Sequence, residues 1–112
     1  MIRARYTAEG NTHTLTVRGH ANYDKYGKDI VCAGVSALIQ ALIGWAENKP
    51  YIIECVSVDD KNGEVLIECQ GGEDVAAVFY MTAIGVEQIA QVYPQHVDID
   101  IIESLQSSVI DD

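Results

Sequence analysis

Twice along this chain a pair of short alternating segments gives way to a long run with helical period, and that repeated order narrows the fold more than any single residue does. Ile2 to Ala8 alternates small or apolar residues with polar ones, Glu9-Gly10-Asn11 makes a turn, and Thr12 to Arg18 returns as the antiparallel partner. From about Ile30 to Glu47 the period becomes helical. Val31, Val35, Leu38, Leu42 and Trp45 form one apolar face, Cys32, Ser36, Ile39 and Ile43 a neighbouring stripe, and Asn48-Lys49-Pro50 the stop. A second hairpin follows, Ile52 to Val58 and Glu64 to Cys69 around Asp59-Asp60-Lys61-Asn62-Gly63, then a second helix from Glu73-Asp74 to roughly Tyr93. Val75, Val78, Phe79, Thr82, Val86, Ile89 and Ala90 give that helix a broad apolar face, and His96 to Ile102 alternates as a short last strand. The order predicts an α+β fold of two layers, an antiparallel sheet with both helices packed on one face. The other sheet face would need partial cover, and the helices carry more apolar stripe than one small sheet can hide, which predicts a homodimer.

Both hairpins have readable registers. If Lys61-Asn62-Gly63 forms a three-residue loop, Asp60 pairs with Glu64 and Cys55 stands opposite Cys69; a two-residue Asn62-Gly63 turn puts Gln70 there instead. In either register Cys55 and Cys69 are expected as small packing residues. His13, beside the first turn, and His96, after Pro94-Gln95, are expected at the surface.

Composition sets outer bounds. The 112 residues, 48% hydrophobic and 21% charged, suit one soluble domain, expected over residues 1–103 with a mobile tail at 104–112. No apolar run approaches the length of roughly 18 residues that spans a bilayer, and Met1-Ile2-Arg3-Ala4-Arg5 has no signal-peptide core, so the expected location is the cytoplasm, away from membranes. A net charge of −10, from 17 acidic and 7 basic residues, disfavours direct nucleic-acid binding and draws basic partners. Three cysteines without an export signal imply reduced thiols. No Cys-x-x-Cys pattern occurs and the three histidines are scattered, so neither a metal nor another cofactor is expected.

Chemistry concentrates between the first hairpin and the first helix, in Gly19-His20-Ala21 and Gly27-Lys28-Asp29-Ile30-Val31-Cys32-Ala33-Gly34-Val35-Ser36. His20 ends a strand and Cys32 opens a helix, across a loop bounded by Gly19 and Gly27. A thiol is a weak nucleophile, since free cysteine titrates at about 8.5; a helix N-terminus favours its thiolate, and an imidazole can take the proton and return it to a leaving amine. Asp29 either caps the helix at the Cys32 backbone N–H or orients His20 as a third member. Ser36, one turn after Cys32, either hydrogen-bonds the sulfur or a substrate carbonyl, or is a small packing residue. Tyr23 and Tyr26 either grip an apolar substrate side chain or anchor the loop. Gly19 and Gly27 either hinge a closing loop or make tight turns. Gly34 costs a helix about 1 kcal/mol relative to alanine, which implies close packing or room for substrate backbone. Backbone N–H groups around Cys32 are candidate oxyanion donors.

These residues resemble the ribosomal-processing cysteine protease (Prp) family over about twenty positions, and the rest of the chain follows the family in length and element order. The resemblance implies that His20 and Cys32 form a catalytic dyad, that the fold is a small two-layer α/β homodimer, and that the substrate is a large-subunit ribosomal protein losing a short N-terminal extension. Two other classes compete. One is a non-catalytic ribosome-assembly module holding a basic ribosomal-protein tail, with Cys32 as packing; the other is a thiol-transfer protein working through Cys32 alone.

Overall fold

The computed structural model describes residues 1–25, 27–49, 53–59 and 63–103, of which 53–59 and 103 are described by backbone only. The elements are β1 (Ile2–Glu9), β2 (Thr12–Arg18), α1 (Ile30–Glu47), β3 (Ile53–Asp59), β4 (Glu64–Gln70), α2 (Glu73–Val92) and β5 (Val97–Glu103). They build one five-stranded sheet in the order β3-β4-β2-β1-β5 with the two helices as the second layer. The expected tail at 104–112 lies outside the described residues, as does Tyr26.

Alternation turns the sequence into two sheet faces. Ile2, Ala4, Tyr6 and Ala8 of β1 point into the core with Leu15 and Val17 of β2 and Ile67 and Cys69 of β4. On that face sit Val31, Val35, Ile39, Leu42 and Ala46 of α1, and Val75, Phe79, Thr82, Ala83 and Val86 of α2. The α1 face is thus rotated from the one read in the sequence: Ile39 and Ala46 are buried, while Leu38 and Trp45 are only half-buried at its edge. By length and composition both helices could cross a membrane, contrary to the expectation that no such run exists. Here each lays its apolar stripe on the sheet instead.

The helices also pack on each other through glycine. A Cβ at Gly85 would lie 2.9 Å from Leu38 Cδ1, and one at Gly34 would lie 3.3 Å from Ile89 Cδ1. Gly34 thus packs toward α2, where a methyl group would meet only the flexible tip of Ile89.

Four strands are antiparallel, as expected, and the fifth adds a parallel pair: β5 runs alongside β1 with Ile2 opposite Val97 and Tyr6 opposite Ile101. The cause is the crossover. Helix α2, about 30 Å long at the α-helical rise, carries the chain from the end of β4 back to the start of β5, so those two strands must share a direction. The second hairpin departs from both expected registers: Asp59 pairs with Glu64, and Cys55 stands opposite Glu68. Cys69 is fully buried, as its packing role requires.

The open face carries a charged row. The register places Asp98, Arg3, Arg18 and Glu64 side by side across four strands, so the opposed arginines are flanked by carboxylates. His13 contradicts its expected surface position. It is 2% exposed, its Nδ1 is 2.8 Å from the Tyr6 hydroxyl, and its ring packs 5.8 Å from that of Phe79.

Candidate active site

The cleft forms where the strand end of β2 meets the start of α1. Gly19 leaves β2 with φ +89°, and its N–H donates to the Gly63 carbonyl at 3.0 Å, tying the strand end to the β3–β4 connection. A Cβ on Gly19 would run into the Met1 carbonyl oxygen, so only glycine fits. His20 follows, exposed, with its ring over Gly63: a Cβ at Gly63 would stand 3.1 Å from His20 Nε2.

Asp29 supplies the other wall. One carboxylate oxygen accepts the N–H of Val31 at 3.0 Å and of Cys32 at 2.9 Å, capping α1; the other accepts the N–H of Tyr23 at 2.9 Å and of Asp24 at 3.3 Å. The alternative left open in the sequence is thereby resolved toward capping, with an added clamp on the loop. Burial pushes this carboxyl up, but the bonds from Cys32, Asp24, Tyr23 and Val31 outweigh it and hold the group below the ordinary aspartate value. Four amide dipoles also compensate a negative charge that would otherwise face the thiol.

Cys32, half-buried at this helix start, accepts the Ala21 N–H on Sγ at 3.3 Å. Its own N–H is committed to Asp29, and the Ala33 N–H to the Asp29 carbonyl at 3.0 Å. These two amides, candidate oxyanion donors by their place in the sequence, are thus engaged in the cap. Cys32 and His20 share the wall of a cleft of about 590 Å³ with Asn22, Asp24, Asp29 and Ser36. Both also border an apolar recess of about 280 Å³ on the sheet side, with Val17, Val35, Ile39 and Val65. Among the described residues no hydrogen bond joins the His20 ring to the sulfur.

The remaining candidates fall as follows. Ser36 is exposed and lines both hollows. Gly27, at φ +86°, lines the larger cleft and Gly19 the smaller recess. Tyr23 is a loop anchor: its ring meets Tyr93 edge-on at 5.2 Å and His96 at 5.3 Å. Tyr26 is outside the described residues. Among the described residues no three His, Cys, Asp or Glu side chains converge as metal ligands do.

A family model described as cysteine protease Prp matches residues 1–98. The chain belongs to the cysteine protease Prp family. It is accordingly a cysteine peptidase. It is 33% identical over 86 residues to the ribosomal processing cysteine protease Prp of Mycoplasma genitalium, spanning 77% of this chain and 85% of that protein. The Staphylococcus aureus Prp is 27% identical over 95 residues, 80% of this chain and 86% of that one. The crystal structure of the S. aureus protease with a covalently linked product peptide has a TM-score of 0.81 at 21% identity, covering 90% of this chain and 99% of that chain. That likeness is one of fold.

Three residues around this Prp-family cleft escaped sequence reasoning. Ala21, 1% exposed, is the one whose amide reaches the sulfur, Gly63 makes room for the His20 ring, and His96 meets Ala21 from the far end of the chain: its Nδ1 is 2.8 Å from the Ala21 carbonyl. His96 is half-buried, not the surface residue expected. Gly63 is readable as a turn glycine only, and no sequence signal links positions 21 and 96.

Proposed function

We propose that this chain is an endopeptidase that removes a short N-terminal extension from a large-subunit ribosomal protein, with Cys32 as nucleophile and His20 as base and then acid. The observation that carries the reading is the shared wall: His20 and Cys32 border the same two hollows, one that Asp24 and Asp29 also line, the other lined by Val17, Val35, Ile39 and Val65. An extended peptide lying across them would present its carbonyl to the sulfur. Its basic segment would face the carboxylates, in a chain of net charge −10. The names of the relatives, ribosomal processing proteases, support the substrate class.

In the proposed cycle His20 takes the Cys32 proton and the thiolate attacks the scissile carbonyl carbon. The C–N bond breaks as His20 gives that proton to the leaving amine, leaving a thioester on Cys32. Water, losing a proton to His20, then cleaves the thioester, releasing the carboxylic acid product and restoring the thiol. We further propose a cytoplasmic homodimer, for which exposed Tyr80 and Met81 on α2 offer apolar surface; light scattering tests the stoichiometry.

The decisive experiment is mass spectrometry of the host's ribosomal proteins after incubation with the protein, with Cys32→Ala and with His20→Ala. A new N-terminus made by the unmodified chain and by neither folded variant is the expected result. Cleavage by either variant refutes the assigned roles. Binding of the extended protein by all three with no cleavage would favour an assembly module instead.

A further inference from the structure

We infer that His96 is a positioning residue for the nucleophile, acting through Ala21. A carbonyl oxygen can only accept, so the His96 Nδ1 facing the Ala21 oxygen at 2.8 Å carries the proton and donates it. The amide of that same residue donates to Cys32 Sγ at 3.3 Å. Ala21 is thus held from both sides of its Cα, with its methyl group buried, and the direction of its N–H is set by where His96 holds its C=O.

His96 itself is rigidly mounted. Its N–H donates to the Tyr93 carbonyl at 2.9 Å, where α2 ends, and its carbonyl accepts the Ile2 N–H at 2.8 Å, where β1 begins. Its ring takes the edge-on contact of Tyr23 at 5.3 Å, which closes the loop over the same bond. The loop leaves β2 through the left-handed residues Gly19 and Asn22, and the Asp29 carboxylate holds it only from Tyr23 onward, so the His96 bond is the one made to Ala21's own carbonyl. An amide aimed at sulfur stabilises the thiolate over the thiol, because it donates to the charged form. His96 thereby links the start of the edge strand β5 to the reactivity of Cys32 without touching it.

The inference rests on Cys32 acting as a thiolate nucleophile, but its test does not require peptide cleavage. The rate of Cys32 carbamidomethylation by iodoacetamide, read by mass spectrometry of the Cys32 peptide, is compared in the unmodified chain and in His96→Asn, His96→Phe and His96→Ala. Asparagine places an amide N–H near the former Nδ1; phenylalanine keeps a ring for Tyr23 but no donor. Loss of one well-made hydrogen bond predicts a slowing of about three- to tenfold in His96→Phe and His96→Ala. The asparagine variant is expected to retain the original rate, a rescue that a purely structural role for the ring would not give. Circular dichroism checks folding, and either donor-free variant that folds suffices. Equal rates in the unmodified chain and a folded donor-free variant overturn the inference, as does an equally large slowing in His96→Asn. If the rates follow the expected pattern while no peptide is cut, the positioning role stands and the peptidase reading fails.

Discussion

Replacing Gly19 with alanine separates two costs that the structure assigns to this one position. The residue sits at φ +89°, where an L side chain meets its own backbone, a penalty of about 1–2 kcal/mol. The added methyl group would also overlap the Met1 carbonyl oxygen. That oxygen cannot simply move aside, because the same peptide unit donates the Ile2 N–H to the His96 carbonyl at 2.8 Å. Relieving such an overlap costs about 1–3 kcal/mol, so Gly19→Ala is expected to lose about 2–5 kcal/mol in all. Gly10 provides the control: it has φ +57° in the β1–β2 turn, and a methyl group added there would meet nothing within 4 Å, so Gly10→Ala should lose only the first part, about 1–2 kcal/mol. Equilibrium urea unfolding of both variants, compared at equal denaturant dependence, isolates the difference. Peptide cleavage should fall further in Gly19→Ala than in Gly10→Ala under conditions where both are folded, since the strand end that shifts carries His20. A Gly19→Ala protein no less stable than Gly10→Ala would refute the claim that the Met1 carbonyl closes this position.

Asp29→Asn keeps an oxygen for the Val31 and Cys32 amides but cannot accept from Tyr23 and Asp24 as well, so activity should fall more than helix content. The folded Asp29 carboxyl titrates below its ordinary value; its contribution is therefore complete above about pH 4 and fades as the pH falls through the lowered value. Thermal melts of the two proteins should accordingly differ most near neutrality and converge in acid; a constant gap contradicts the assignment. Tyr6→Phe removes the hydroxyl bonded to buried His13 and should cost about 1–3 kcal/mol by urea unfolding, with an unchanged midpoint refuting the bond's importance. Gly34→Ala should be neutral or stabilising by up to about 1 kcal/mol, because only the flexible tip of Ile89 must give way. Gly85→Ala, which meets two Leu38 methyl groups, should destabilise, and the reverse order of the two would show that the helix crossing is looser than these distances imply.

Local signals carry most of the fold. The apolar period marks α1 at Ile30–Glu47 and the alternation marks the five strands, because burial on one face writes itself into consecutive residues. Pairing partners are not written that way: alternation in Val97–Glu103 announces a strand but not that β1 receives it, and only the direction of α2 makes the pair parallel. The β3–β4 register differs from expectation by one residue because Asn62-Gly63 signals a turn without giving its length, and one residue is enough to move Cys55 from Cys69 to Glu68. His13 is legible in the sequence once position outweighs polarity: it stands two residues before Leu15 and four before Val17, on the inward parity of β2.

The site divides along the same line between local and distant information. Cys32, Asp29 and the helix start between them lie within one turn, so the sequence can pose the cap, and the structure needs only to choose it. What fixes the sulfur's surroundings comes from three remote places: Ala21, eleven residues back, Gly63 beneath the His20 ring, and His96, seventy-five residues from the carbonyl it holds. Each of these acts through backbone or through a residue type that has ordinary structural uses, so none leaves a compositional mark. A thiol and an imidazole can therefore be found by spacing, whereas the amides and side chains around them are brought together by the folded sheet, and variants at His96 and Gly63 probe those surroundings without altering Cys32 or His20.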